Sequence, residues 1–162
     1  MKEQLTEWLD DDDREYKVID HKQLNWLINL KHGERVVLLG NPKEYPKRLE
    51  VVYKLNVSDE HKKIIAQLDG NQRAGFEKNL VMMLANDNTI YNISRNDDNL
   101  PESVVIKRNL YAEDLNRTLL FDSIQQVINL GMRATIHFQS LGGPSVQEKE
   151  VSSSKPGPSL YR

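Results

Sequence analysis

The sequence predicts an α+β fold, an antiparallel sheet of five to six strands with helices packed on one face, in the order α-β-β-β-β-α-α-β-β-α. Three observations carry that prediction. From Arg48 to Val57 the odd positions Leu49, Val51, Tyr53, Leu55 and Val57 are apolar. Arg48, Glu50, Lys54 and Asn56 between them are polar, and Val52 is the one exception. A period of two is what a sheet with one wet face requires, because successive side chains point to opposite faces. Directly after this strand, Ser58 to Ala85 carries apolar residues at helical spacing in two runs parted by a single turn. A third helical stretch, longer than either, follows two further strand-like runs.

At 162 residues the chain fits one domain, long enough to bury roughly two thirds of its unfolded surface. Residues 1–141 read as a single α+β domain and residues 142–162 as a flexible C-terminal tail. In that tail Ser152-Ser153-Ser154 and Pro156-Gly157-Pro158 leave too little apolar content to fold alone. A formal net charge of −2 argues against a general nucleic-acid or membrane binder, which would carry a clear positive excess. With no cysteine there is no disulfide framework, no thiolate nucleophile and no cysteine metal site. Met1 to Glu7 is charged and lacks the apolar core of a signal peptide. No run approaches the length needed to span a bilayer. A cytoplasmic protein is expected.

Leu5, Trp8 and Leu9 fall at i, i+3 and i+4 and predict a short amphipathic helix from about Lys2 to Asp11. Asp10-Asp11-Asp12-Asp13 should end it, since negative charge is unfavourable at a helix carboxyl end. The four aspartates lack the alternating ligand spacing, central glycine and closing glutamate of a calcium loop. Tyr16 to Ile19 reads as a short strand, and Leu24, Trp26, Ile28 and Leu30 alternate along the next. Lys31-His32-Gly33-Glu34 is a hairpin loop with Gly33 suited to a positive φ. Arg35 to Leu39 does not alternate, which predicts a central strand covered on both sides. Gly40 to Pro46 reads as a loop.

Ser58-Asp59-Glu60 places a cap and two acids at a helix start, with Ile64, Ile65 and Leu68 as its buried side. Asp69 with Gln72 three residues on forms a capping-box pattern. Phe76, Leu80, Met83 and Leu84 then recur at helical spacing. Met82 and Met83 could form an adaptable binding surface, but core filling is the simpler expectation. Asn86-Asp87-Asn88 closes the helix. Thr89 to Ile93 and Ser103 to Leu110 read as strands around a polar loop from Ser94 to Glu102. The long helix is expected to begin at Glu113 and to bury Leu115, Leu119, Ile124, Val127 and Ile128. Met132 to Leu141 fits either a helix stripe or a strand alternation, and helix is the reading adopted.

This order of elements resembles that of type III secretion chaperone-like proteins. Val57-Ser58-Asp59-Glu60-His61-Lys62, Phe76-Glu77-Lys78-Asn79-Leu80 and Leu110-Tyr111-Ala112-Glu113-Asp114-Leu115 look like landmarks of a small uncharacterised archaeal family of that architecture. The resemblance covers roughly Met1 to Leu141. It implies the fold and a homodimer, and it carries no site. Secretion chaperones are small, acidic, dimeric holders of another chain.

A search for chemistry along the chain yields no catalytic, cofactor-binding or metal-ligating residue and no cofactor. His21, His32, His61 and His137 do not stand i, i+4 from one another or in a metal spacing with a carboxylate. His21 and His32 flank turns, and His61, in a first helical turn, is expected to contact solvent. The glycine-rich phosphate loops and the G-x-S-x-G elbow are missing. Gly142-Gly143 with Pro144-Ser145 reads as a chain break. Glu113-Asp114 could be an acid–base pair, but at a helix start their charge has an ordinary dipole explanation. Lys43, Lys47 and Arg48 surround Tyr45 as base and aromatic do in single-strand binders, and Lys107-Arg108 could join them. Glu44, Glu50 and the net charge weigh against nucleic acid. The function that results is a non-catalytic protein-binding module, chaperone- or adaptor-like, that pairs with itself. The alternative is a small enzyme or ligand-binding protein with a pocket between sheet and helices. No substrate is legible.

Overall fold

The computed structural model describes residues 1–85 and 88–142. Its elements in chain order are α1 (Lys2–Asp11), β1 (Tyr16–Ile19), β2 (Leu24–His32), β3 (Arg35–Pro42) and β4 (Arg48–Asn56), then α2 (Asp59–Gln67) and α3 (Gly70–Leu84). β5 (Ile90–Arg95), β6 (Pro101–Tyr111) and α4 (Arg117–Gln139) complete them. The six strands form one antiparallel sheet in the order β1-β2-β3-β4-β6-β5, so β4 pairs with β6 across the intervening helix pair and β5. The α+β reading and its element order hold.

The alternation of β4 sets the two sides of the sheet. Leu49, Val51, Tyr53 and Leu55 are all buried beneath helices. Register carries the same side to Val37 and Leu39 of β3 and to Val104, Ile106 and Leu110 of β6. Across β4 and β6 lies α4, whose Leu120, Ile124, Val127, Ile128, Ala134 and Phe138 are buried. Leu5 and Leu9 of α1, Ile65 of α2 and Phe76, Leu80 and Leu84 of α3 fill the remainder of that core. Phe76 meets Phe138 edge-on at 5.4 Å, a favoured aromatic geometry that ties α3 to α4. Gly131, midway along α4, is what lets this helix approach the ring of Tyr53.

The caps behave as their residue types dictate. Ser58 Oγ accepts from the backbone N–H of His61 at 3.3 Å. Asp69 and Gln72 exchange both bonds of a capping box, at 2.9 and 3.2 Å. Gly33 adopts φ +64 in the β2–β3 hairpin, the left-handed conformation expected of it. The ambiguous segment Met132 to Leu141 continues α4 as helix up to Gln139.

Several expectations need correction. Gly40, Asn41 and Pro42 extend β3 rather than forming a loop, because Gly40 pairs with Glu50 and Pro42 with Leu24. β3 is central, but Val36 and Leu38 remain only half-buried because among the described residues no helix lies over their side. Met82 is 64% exposed, so it does not fill the core. The long helix starts at Arg117, capped by Asn116 Oδ1 accepting from Leu119 N at 2.9 Å. Glu113 and Asp114 therefore sit in the turn before it. The turn read at Asn86-Asp87-Asn88 falls partly outside the described residues, and the tail reading from Gly143 onward, including Pro144 and Ser145, falls wholly outside them.

The acidic run is neither free nor a ligand loop. Arg14 meets Asp12 at 2.6 Å, and Arg117 meets Asp11 at 3.3 Å, which fastens the end of α1 to the first turn of α4. A similar device links α3 to the sheet edge. Glu77 receives Arg95 through both oxygens at 3.0 Å and Arg73 at 3.3 Å. Arg95's hydrogen bonds hold the Glu77 carboxyl below its usual value, outweighing the opposite effect of burial. A carboxyl lowered in the folded state stabilises above its unfolded value of about 4.3 and loses that contribution as pH falls through the folded value. Glu77→Gln is thus expected to lower stability by about 1 kcal/mol at neutral pH. Urea unfolding should show the gap to the native chain closing as pH drops below about 4; an unchanged gap would assign the loss to packing.

Candidate functional site

Among the described residues the helices leave one side of the sheet open. Outward positions on β4 are Arg48, Glu50, Val52 and Lys54, opposite Tyr111, Asn109, Lys107 and Val105 of β6. β3 adds Leu38 and Gly40 to this side, β2 adds Leu27, Asn29 and Lys31, and β1 adds Lys17. Alternation alone marks Glu50 as a solvated polar residue. Instead it is 0% exposed, and this is the main residue that sequence reasoning missed. Its Oε1 accepts from Arg48 Nη2 at 2.7 Å and from Lys107 Nζ at 3.2 Å. The Arg48 guanidinium lies over the Tyr45 ring at 4.0 Å, a cation–π contact that fixes it at the rim of the face. Glu50 Oε2 and Asn109 Oδ1 are buried with no hydrogen-bond partner among the described residues. Such groups are uncommon in folded proteins and mark the most polar buried spot of this face.

One sequence signal could have pointed to this cluster. Glu50 is the only acid in β1 to β4, whose other charges are all basic. Of the residues considered for nucleic acid, the structure brings Tyr45, Arg48 and Lys107 together through Glu50. It does not bring Arg108, which points to the helix side and donates to Gln126 of α4. Lys43 donates to the Lys22 carbonyl at 2.9 Å.

The four histidines lie apart. His21 is exposed, its Nδ1 accepting from Gln23 N at 3.3 Å. His32 ends β2 with Nδ1 3.3 Å from Arg14 Nη1. His137 stacks on Phe76 at 4.2 Å, and its Nε2 is 2.9 Å from the Phe76 carbonyl, to which it donates. His61 contradicts the solvent expectation, being fully buried with its Nδ1 2.7 Å from Ser58 Oγ and its ring edge-on to Phe138. His61 turns to the core because it shares one side of α2 with Ile65, whereas Asp59 and Glu60 of the same turn are exposed. Among the described residues no three His, Asp or Glu side chains converge as a metal site would require.

Two clefts open elsewhere. One of about 230 Å³ lies between β2 and α4, lined by Arg14, Leu30, His32, Phe121, Asp122 and Gln125 among others. A second of about 370 Å³ lies by the start of β5 and the end of β6, bordered by Ile90, Arg108, Tyr111, Asp114 and Leu119. Both are at or below the small end of the range that ligand pockets occupy, roughly 300–1,000 Å³. No helix among the described residues is long and apolar enough to cross a membrane.

The family model described as an uncharacterized conserved protein, DUF2299, matches residues 1–138. The chain belongs to that family. This agrees with the family resemblance read from Val57–Lys62, Phe76–Leu80 and Leu110–Leu115. The DUF2299 chain is similar in fold to an uncharacterized protein from Methanothermobacter thermautotrophicus, with a TM-score of 0.81 and 17% identity. That likeness covers 88% of this chain and 99% of the other. It is also similar to YbjN, a candidate transcription regulator from E. coli, with a TM-score of 0.54 and 17% identity over 82% of this chain and 89% of that one. No curated protein matches it. At these identities the likenesses concern the fold.

Proposed function

We propose that this DUF2299 chain is a non-catalytic, chaperone- or adaptor-like protein-binding module of the cytoplasm, acting as a homodimer and folding as one unit over residues 1–141. The observation that carries the reading is the open face of the sheet. Half-buried Val36, Leu38 and Val105 lie there among lysines, with no helix above them among the described residues. A sheet face that mixes half-buried aliphatic side chains with polar ones has the composition of a protein interface. For self-pairing the support is β1, an edge strand of four residues whose Val18 is 46% and Ile19 36% exposed. An edge with unpaired backbone groups and exposed apolar side chains favours strand addition. The reading assigns no catalytic, cofactor or metal residue.

The expected result is a dimer mass by light scattering that falls to the monomer mass when Val18→Lys is introduced at the edge. Affinity purification from the native host should retain a defined partner. A monomer at all concentrations together with no retained protein would overturn the proposal. The ligand-pocket alternative draws its support from the cleft at Arg14, His32, Asp122 and Gln125, where polar groups do converge between sheet and helix. Thermal shift against small carboxylates and phosphates tests it, with a rise lost in His32→Ala as the supporting result.

A further inference from the structure

The charges of this protein are divided by structural layer. The formal net charge is −2, yet Glu50 and Glu102 are the only acids in the six strands. On the open face the outward strand positions carry Lys17, Lys31, Arg48, Lys54 and Lys107 against the single carboxylate of Glu50. Glu15, just before β1, answers Lys31 at 3.0 Å, and Glu44 stands in the loop beside Tyr45. A positive field therefore remains over the sheet, although the molecule as a whole is acidic.

The pattern within the face is as informative as its sign. Running across the strands, register sets Lys17 beside Asn29, Asn29 beside Leu38, Leu38 beside Val52, and Val52 beside Lys107. A neighbouring row pairs Lys31 with Val36, and another contact sets Lys54 beside Val105. Strands stand about 4.8 Å apart, so Leu38 and Val52 lie between a cation at each end of the row, at spacings that one extended peptide laid across the strands can match. We infer that the open face docks an acidic, amphipathic protein segment that turns both carboxylates and aliphatic side chains toward the sheet. The inference rests on the reading of the chain as a protein-binding module and names the chemistry of the partner.

Nucleic acid fits this face less well. Single-strand binders stack bases on aromatic side chains within the groove. Here the central outward positions are Val36, Leu38, Val52 and Val105, and the nearby aromatics, Tyr45 and Tyr111, stand at one rim. Complementary charge steers encounter and selects the partner, and further burial of the half-buried Val36, Leu38 and Val105 supplies the remainder of the affinity.

Fluorescence anisotropy with a labelled peptide of Glu-Ser-Leu-Ser repeats, which when extended turns glutamate and leucine to the same face, tests this on the full chain. Binding should weaken with rising salt. It should weaken by on the order of tenfold in the doubly charge-reversed variant Lys17→Glu, Lys54→Glu. Lys17 is exposed and Lys54 half-buried, and the variant's circular dichroism should match the native chain. A lysine-for-glutamate peptide should not bind. Equal binding of that basic peptide, or unchanged binding by the variant, would overturn the inference. Tighter, salt-sensitive binding of oligothymidylate would overturn it in favour of nucleic acid. If a host partner is retained equally by native and charge-reversed chains, the binding-module reading stands and the acidic segment falls; if nothing is retained and no peptide binds, both fall.

Discussion

Gly131→Ala is expected to cost about 2 kcal/mol of stability, although alanine is the better helix former by about 1 kcal/mol. The position lies inside α4, and its backbone faces the ring of Tyr53 on β4. A Cβ placed there would penetrate the ring, the farthest of its three nearest ring atoms being only 2.9 Å away. Tyr53 cannot swing aside freely. It is buried, and Val37 and Ile106 stand directly across from it on the two neighbouring strands. Over-packing of this kind costs 1–3 kcal/mol in well-filled cores, and here the helix must move off the sheet or the ring must leave its rotamer. Gly75→Ala on α3 is the control, because a Cβ there meets nothing within 4 Å. That variant should gain about 0.5–1 kcal/mol. Urea denaturation of the two variants should move in opposite directions, and Tyr53→Leu should relieve much of the loss at Gly131. Two glycine variants that behave alike would mean that α4 does not rest on Tyr53.

The same pair of residues shows what sequence could and could not reveal. The alternation of β4 places Tyr53 on the covered side, and the spacing of Leu119, Ile124, Val127 and Ile128 places a helix later in the chain. Neither pattern says that the two meet at Gly131, since that contact depends on how the helix crosses the sheet. Read along the chain, Gly131 looks like a boundary; in the fold it is a point of close approach. Caps were legible because Ser58, Asp69 and Gln72 act within four residues of themselves. The helix start at Glu113 was misplaced because acids favour a first turn, while Asn116 supplies the side-chain oxygen that caps the helix. Met82 and His61 exchanged expectations for a similar reason. Periodicity gives the faces of a helix, but only packing decides which face is turned inward. The candidate site was least legible of all. Its members Arg48, Glu50, Lys107 and Asn109 belong to strands more than fifty residues apart along the chain, joined only by the β4–β6 register.

Glu50→Gln is expected to destabilise the protein by about 2–3 kcal/mol while preserving the size of the side chain. The native carboxylate is fully buried and accepts from Arg48 and Lys107 through one oxygen. The amide offers a weaker acceptor and leaves two cationic heads close together with no opposing charge. Removing one member of a buried ion pair typically costs 3–5 kcal/mol. The lower figure applies here because the Arg48 and Lys107 side chains retain 19% and 24% of their exposure, so water shares the cost. Replacing all three by apolar residues of similar volume (Arg48→Met, Glu50→Leu, Lys107→Met) should bring stability back near that of the native chain, because the desolvation penalty of the charges disappears with them. The proposed docking role gives such a cluster an effect beyond stability. On this face that effect is positive charge held in fixed positions by a carboxylate that itself never reaches solvent. The triple variant should therefore fold, by urea denaturation and circular dichroism, and bind the acidic peptide more weakly. Full peptide binding by a folded triple variant would remove Arg48 and Lys107 from the docking surface. A native-like midpoint for Glu50→Gln would show that the buried carboxylate does not hold them there.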